Sequence, residues 1–322
     1  MTYRLRKIQL ALTAVIMSAT ASMHGSDYNT ISNTCYPQEC APEYCSPCSC
    51  GEIFIGAELL YLRAYQGGIA DVCDGTQTTD TIEGGILVST LTGSAHDPDF
   101  NWDLGYRVGV GYEFADSHCG IGAFWTHFKS HNGDENNTNE NRWNIDLDIV
   151  DVLYGCECNG CNCFVFTPFA GIRYANIHQS LHTNFLGSID GVTSRTRGHL
   201  REEFYGVGPV FGVDGDWGIG CGFSLYGNIS AGVLYGRFHV TSHETDVFST
   251  GININDLSQR ILACQGVLDT AFGVRWKTCF CCDKELLVQL GVEQHRYFNH
   301  NQFCGYGDLS LDGVSLAVGI EF

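Results

Sequence analysis

FNWDLGYRVGVGYEF, residues 100–114, decides the fold. Its even positions are Phe100, Trp102, Leu104, Tyr106, Val108, Val110, Tyr112 and Phe114, all apolar or aromatic. Its odd positions, Asn101, Asp103, Gly105, Arg107, Gly109, Gly111 and Glu113, are polar or glycine. Side chains alternate across a pleated backbone, so the segment predicts one long strand with a greasy wall and a polar wall. It is far longer than the five or six residues typical of a soluble strand. A tilted strand crossing a bilayer keeps about 9–11 residues in the hydrocarbon, and this segment has that length plus overhang.

The same alternation recurs in ten segments, near 52–65, 100–114, 119–129, 142–154, 164–178, 201–213, 217–237, 260–276, 285–298 and 312–322. The seventh sets Trp217, Ile219, Cys221, Phe223 and Leu225 against Gly218, Gly220, Gly222 and Ser224. In the fourth the apolar phase switches between Ile149 and Val150, which reads as a bulge or a misplaced end. Links of two lengths alternate. Long polar ones cover 66–99, 130–141, 179–200, 238–259 and 299–311, and short ones 115–118, 155–163, 214–216 and 277–284. Outer-membrane barrels put short turns in the periplasm and long loops outside. Strand N–H and C=O groups in lipid must all pair within the protein, which requires a sheet without edges. The expectation is therefore all-β: a transmembrane antiparallel up-and-down β-barrel of about ten strands over 51–322. Further strands in 82–92 or 238–250 would raise the number to 12 or more. A soluble β-sandwich fits neither the strand lengths nor the export signal.

Arg4, Arg6 and Lys7 precede an apolar run from Ile8 and a small-residue site at Ala19-Thr20-Ala21, so residues 1–21 read as a secretory signal peptide. Residues 22–50 carry Cys35, Cys40, Cys45, Cys48 and Cys50, three prolines and no hydrophobic periodicity, and read as a cysteine-rich periplasmic tail. The formal charge of −19 excludes a nucleic-acid partner, since binding phosphate chains needs a basic surface. Seventeen cysteines in an exported chain point to disulfides. Candidates are the five of the tail, Cys156, Cys158, Cys161 and Cys163 in one short link, and Cys279, Cys281 and Cys282 in another. Most therefore fall at the periplasmic end, where they would bridge hairpins and reach neighbouring envelope proteins or further copies of the chain. Four thiolates in CECNGCNC could surround zinc, but exported thiols oxidise more often than they hold metal, so no metal and no cofactor is expected. The closing SLAVGIEF resembles the signal read by outer-membrane assembly machinery, ending on Phe322 with apolar positions alternating behind it; Ala317 stands where a glycine is usual.

DPDFNWDLGYRVGVGYEF (97–114), GAFWTHF (122–128), RWNIDLDIVDVLYG (142–155), FTPFAGIRYANIHQSL (166–181) and FYGVGPVFGV (204–213) resemble the Legionella-type major outer membrane proteins and the related porins of Chlamydia-like bacteria. The likeness covers the centre of the chain and is weaker over IFIGAELLYLRA (53–64) and the last strand. It implies a pore-forming barrel in the bacterial outer membrane. The family has no catalytic motif to carry over, and the cysteine content is closer to the chlamydial group.

A charge facing lipid at the bilayer midplane is costly, so charged residues on the alternate face are expected in the lumen. Acidic candidates are Glu58, Asp103, Glu113, Asp146, Asp148, Asp269, Glu293 and Glu321, against the bases Arg107, Arg173 and Arg275. Such an excess of carboxylates predicts mildly cation-preferring, passive diffusion of small hydrophilic solutes and ions. The alternative is a lumen plugged by paired charges, since small barrels fill with side chains. The chain would then be a structural or adhesive surface protein. Trp102, Trp125, Trp143, Trp217 and Trp276 fall near segment ends and are expected to form aromatic girdles against the membrane lipid. His96, Asp97, Asp99, His127 and His131 near the outer rim could in principle activate water, but no spacing fixes them together, and no enzyme activity is expected.

Overall fold

The computed structural model describes residues 51–67, 77–83, 86–92, 100–115, 117–132, 142–161, 164–189, 192–246, 253–280, 284–302 and 307–322. All lie within the compact unit Pro37–Phe322. The signal peptide and tail expected over 1–50 lie outside the described residues, as do Cys163, Cys281, Cys282, His96, Asp97 and Asp99.

Thirteen strands are described: β1 (Glu52–Gln66), β2 (Gln77–Glu83), β3 (Ile86–Thr92), β4 (Trp102–Glu113), β5 (Cys119–Asn132), β6 (Arg142–Cys156), β7 (Cys158–Cys161), β8 (Phe164–Ile189), β9 (Val192–Gly220), β10 (Phe223–Asp246), β11 (Asn253–Phe280), β12 (Lys284–Phe298) and β13 (Leu309–Glu321). Ten form an antiparallel up-and-down ring, β1-β4-β5-β6-β8-β9-β10-β11-β12-β13, closed by pairing of β13 with β1. Each of the ten alternating segments supplies one strand of it. β2 and β3 make a hairpin in the first long link. Its pairing with the barrel runs through Thr79 and Asp80 beside Ser188 and Ile189, in parallel, so it adds no strand to the antiparallel ring.

The outward wall is greasy where lipid must lie. On β1, Ile53, Ile55, Leu59 and Tyr61 face out, and on β4, Leu104, Tyr106, Val108, Val110 and Tyr112 do. From Ile53 to Tyr61 is the length of hydrocarbon a tilted strand crosses. Beyond this band, toward the long loops, the polarity of the two walls inverts because water replaces lipid outside. There the interior is apolar, with Leu60, Leu62, Phe128, Ile145, Leu147, Ile177, Phe204 and Phe238 buried in one core.

This inversion corrects three expectations on β6. Its register with β5 and β8 runs without a shift, so there is no bulge at Ile149 and Val150. Odd residues face inward along its whole length: Ile145, Leu147 and Ile149 in the core, then Asp151 in the lumen. Asp146 and Asp148 therefore face outward, not into the lumen. Trp143 belongs to no girdle either; it is 1% exposed, packs edge-on to Phe100, and its indole N–H donates to Gln179 Oε1 at 3.1 Å. The apparent phase switch marks the membrane boundary crossing a regular strand.

A second correction concerns the link expected at 214–216. Those residues lie within β9, and the chain reverses at Gly220, Cys221 and Gly222, all with positive φ (128°, 55° and 79°), a region glycine enters freely. Odd residues face outward on both sides of this reversal, so alternation alone could not locate it. Inside the barrel, glycines make room for rings that cross it. A Cβ on Gly109 or Gly122 would run into the Phe124 ring, and one on Gly291 into the Tyr226 hydroxyl.

Replacing Val152, outward in the lipid band, by Arg is expected to destabilise the barrel by about 2–4 kcal/mol in urea unfolding from vesicles. Asn144→Arg, on the same face of β6 beyond the band, is expected to change stability by no more than about 0.5 kcal/mol. Equal costs at the two positions would contradict the inversion.

Candidate functional site

The strand ring brings charged side chains from six strands into one layer across the lumen. Arg107 Nη1 donates to Glu58 Oε2 at 2.6 Å, its Nη2 to Glu293 Oε2 at 3.0 Å, and its Nε to Thr126 Oγ1 at 3.0 Å. His295 continues the chain, with Nε2 2.9 Å from the same Glu293 oxygen and Nδ1 2.9 Å from Asp269 Oδ1. Arg173 Nη1 donates to Asp269 Oδ2 at 2.6 Å, while its Nε and Nη2 grip Asp151 at 2.6 and 2.9 Å. Ser230 Oγ adds a third contact to Asp269, donating to Oδ2 at 3.1 Å. The series Glu58, Arg107, Glu293, His295, Asp269, Arg173, Asp151 thus runs from β1 to β6 through the middle of the barrel. Its planar guanidinium groups each meet two carboxylates, the geometry Arg makes best.

A cavity of about 560 Å³ is lined by this layer and extends from it toward the short turns. Its wall includes Glu113, Asp214, Asn228, Lys277, Gln289 and Glu321. Arg275 bonds Asp214 and Asp216 there, receives support from Gln289 Oε1 at 3.0 Å, and sits 5.0 Å over the Tyr226 ring. At the cavity's periplasmic mouth the carboxylates of Glu52, Glu113 and Glu321 lie within 4.8 Å of one another. Above the layer the lumen is filled, mostly by apolar side chains. Trp143, Tyr297, Phe128, Phe204 and Phe238 are all under 2% exposed.

Polar groups enclosed in this plug include His300, in the link after β12. Its Nδ1 is 3.3 Å from Gln265 Oε1, and its Nε2 lies 3.7 Å from Glu202, too far for a hydrogen bond. Burial pushes the His300 imidazole down to about 3, so it is neutral in the folded protein.

Of the lumen candidates, Glu58, Arg107, Arg173, Asp269 and Glu293 meet in the ionic layer, Arg275 lies beneath it, and Glu113 lies at the mouth. Asp103 stands apart near the outer end, accepting from Ser130 Oγ at 2.8 Å. Asp151, His295, Asp214 and Asp216 were missed by sequence reasoning. Asp151 was lost to the misread phase of β6 and the pair Asp214 and Asp216 to the supposed turn. His295 shares the inward face with Glu293 two residues earlier and was legible. Trp102, Trp125, Trp217 and Trp276 do point outward or along the rims; Trp102 stacks on Tyr61 and Trp125 meets Tyr106 edge-on.

At the periplasmic end Cys119 and Cys156, directly opposite on β5 and β6, form a disulfide. Cys279 is disulfide-bonded as well. Cys158, expected in a disulfide, is a free thiol. The side chain of Cys161 lies outside the described residues. His127 Nδ1 does meet Asp148 Oδ1 at 2.8 Å, but on the outer wall beside Trp125. With Asp146 these two could in geometry hold a metal ion, yet Lys129 Nζ already lies 2.9 Å from Asp146.

The family model described as Legionella pneumophila major outer membrane protein precursor matches residues 45–318. No curated protein matches the chain. Among solved structures, the outer membrane protease OmpT from Escherichia coli is 11% identical, with 84% of this chain and 96% of that one covered at a TM-score of 0.43. The translocator domain of the autotransporter NalP from Neisseria meningitidis is 12% identical, covering 100% and 97% at 0.34. A Pseudomonas aeruginosa FadL homologue is 9% identical, covering 84% and 90% at 0.33. Likenesses this loose carry no inference about this chain.

Arg173→Met strands Asp151 and Asp269 without their shared cation, and is expected to cost about 3–5 kcal/mol in urea unfolding. Adding Asp151→Asn and Asp269→Asn to it should recover most of that loss; a triple variant no better than the single would contradict the pairing. For His300, an unfolded imidazole near 6.5 takes a proton as pH falls while the buried one does not, so its contribution to stability is lost between about 6.5 and about 3. His300→Gln is expected to flatten that part of the acid-unfolding profile, read from the gel mobility of folded and heated protein. Parallel profiles for the two proteins would overturn this.

Proposed function

The chain belongs to the Legionella major outer membrane protein family, and from that membership and the geometry of its lumen we propose that it is a plugged barrel with a structural, surface-presenting role. It is a β-barrel of the bacterial outer membrane in contact with membrane lipid. The observation that carries the proposal is the unbroken series of ion pairs from Glu58 to Asp151 beneath a filled apolar core. Opening a passage would require separating buried charges and wetting that core, both costly. No catalytic step enters this reading. The work falls to the loops at the outer end and to the periplasmic end, where the Cys119–Cys156 bridge ties β5 to β6. The remaining periplasmic cysteines would link the barrel to neighbouring envelope proteins or to further copies of itself.

A second reading, passive and cation-preferring diffusion of small hydrophilic solutes and ions, is favoured by the periplasmic cavity. Glu52, Glu113 and Glu321 at its mouth would draw cations inward. Planar-bilayer recording separates the two. The plugged barrel is expected to insert without conductance at ±100 mV, roughly the range of membrane potentials used to open voltage-dependent pores. Steady, uniform, cation-selective steps in most insertions would overturn the plugged reading and establish the second.

A further inference from the structure

Just beyond the lipid band, the outward wall of five adjacent strands, β6, β8, β9, β10 and β11, is crowded with arginine and histidine. Cross-strand register puts Arg142 opposite His182, His182 opposite His199, and His199 opposite His243. Nearer the membrane, His178, Glu203, His239 and Arg260 form another row, with Arg201 between the two. Arg237 lies at the band itself, beside Tyr205 and Leu262. Five strands at about 4.8 Å spacing make this patch roughly 19 Å wide.

The carboxylates near the patch are already engaged. Glu203 is 2.9 Å from Arg201 and 3.4 Å from His178, and Asp146 and Asp148 at the β6 edge hold Lys129 and His127. Asp256 stands opposite His243 at the far edge. Among the described residues no carboxylate pairs with Arg237 or Arg260. The His182 and His199 rings lie face to face with centroids 4.2 Å apart and planes 15° from parallel, so protonating either brings positive charge against its neighbour. Elsewhere on the barrel the outward cations at this level are matched: Arg296 bonds Asp308 at 2.6 Å, and Arg63 stands opposite Asp312. In a chain of formal charge −19 this wall gathers Arg142, Arg201, Arg237 and Arg260.

We propose that this wall binds the phosphate groups of the phosphorylated glycolipid, lipid A, in the outer leaflet of the outer membrane. The forked guanidinium groups suit phosphate oxygens, and their position immediately past the hydrocarbon band is that of the headgroups. Tyr174, Tyr205, Val207, Tyr235 and Leu262, exposed just below, offer a wall for the acyl chains. This holds whether the lumen conducts or not.

The test is native mass spectrometry of the full chain in detergent, titrated with purified lipid A. Arg237→Gln combined with Arg260→Gln is expected to weaken binding at least tenfold while leaving the heat-sensitive gel mobility of a folded barrel intact. Arg296→Gln, on the opposite wall, should leave it within twofold. Lipid A stripped of its phosphates should bind at least tenfold more weakly, and neither phosphatidylglycerol nor inorganic phosphate at equal phosphorus should displace the intact glycolipid. Unchanged binding in the double variant, equal binding of the stripped lipid, or displacement by either competitor would overturn the proposal.

Discussion

Hydrogen bonding of the backbone in hydrocarbon is the constraint from which the rest of this structure follows. Lipid offers no partner for a strand N–H or C=O, so the ten strands must close on one another, and the continuous register between β13 and β1 completes the ring. Closure creates an inside and an outside, and the two-residue period of a strand then assigns every side chain to one or the other. With only ten strands the inside is narrow. Side chains from opposite walls meet there, as Arg107 on β4 meets Glu293 on β12 and Arg173 on β8 meets Asp269 on β11.

That narrowness links packing to function. A charge inside such a barrel must be solvated by water or paired, and this chain does both in succession: carboxylates around a cavity at the periplasmic end, then an ionic layer in which each guanidinium serves two carboxylates. Past that layer the interior is filled mostly by apolar side chains. The outward wall mirrors this sequence, with lipid-facing aliphatic and aromatic residues giving way to arginine, histidine and aspartate where the inside becomes greasy. Polarity is therefore arranged along the barrel as well as across it, and the exposed polar end is the part left available for partners.

Much of this was legible in the sequence. The alternating segments name all ten barrel strands, the unequal links give the orientation, and parity alone sends Glu58, Arg107, Arg173, Asp269, Arg275 and Glu293 inward. What parity could not show is where the solvent outside changes from lipid to water. On β6 the assumption that the greasy side is always the lipid side inverted the reading of Trp143, Asp146 and Asp148, and hid Asp151. A reversal that preserves parity, as at Gly220–Gly222, likewise leaves no trace in the alternation. The ionic layer itself depends on contacts between residues far apart in the chain, which no local pattern encodes. The cation patch was equally hidden, because its histidines and arginines are scattered over five segments and meet only through register.

The central claim is that one wall faces lipid while the outer half of the lumen is dry. Nuclear Overhauser spectroscopy on methyl-labelled protein in lipid micelles tests it without any substitution. The methyls of Val110, Val152 and Ile320 are expected to show cross-peaks to lipid tails, and those of Ile145, Ile177 and Leu181 to show cross-peaks to neither lipid nor water. Strong water cross-peaks at Ile145, Ile177 and Leu181 would mean a wet lumen and contradict the account.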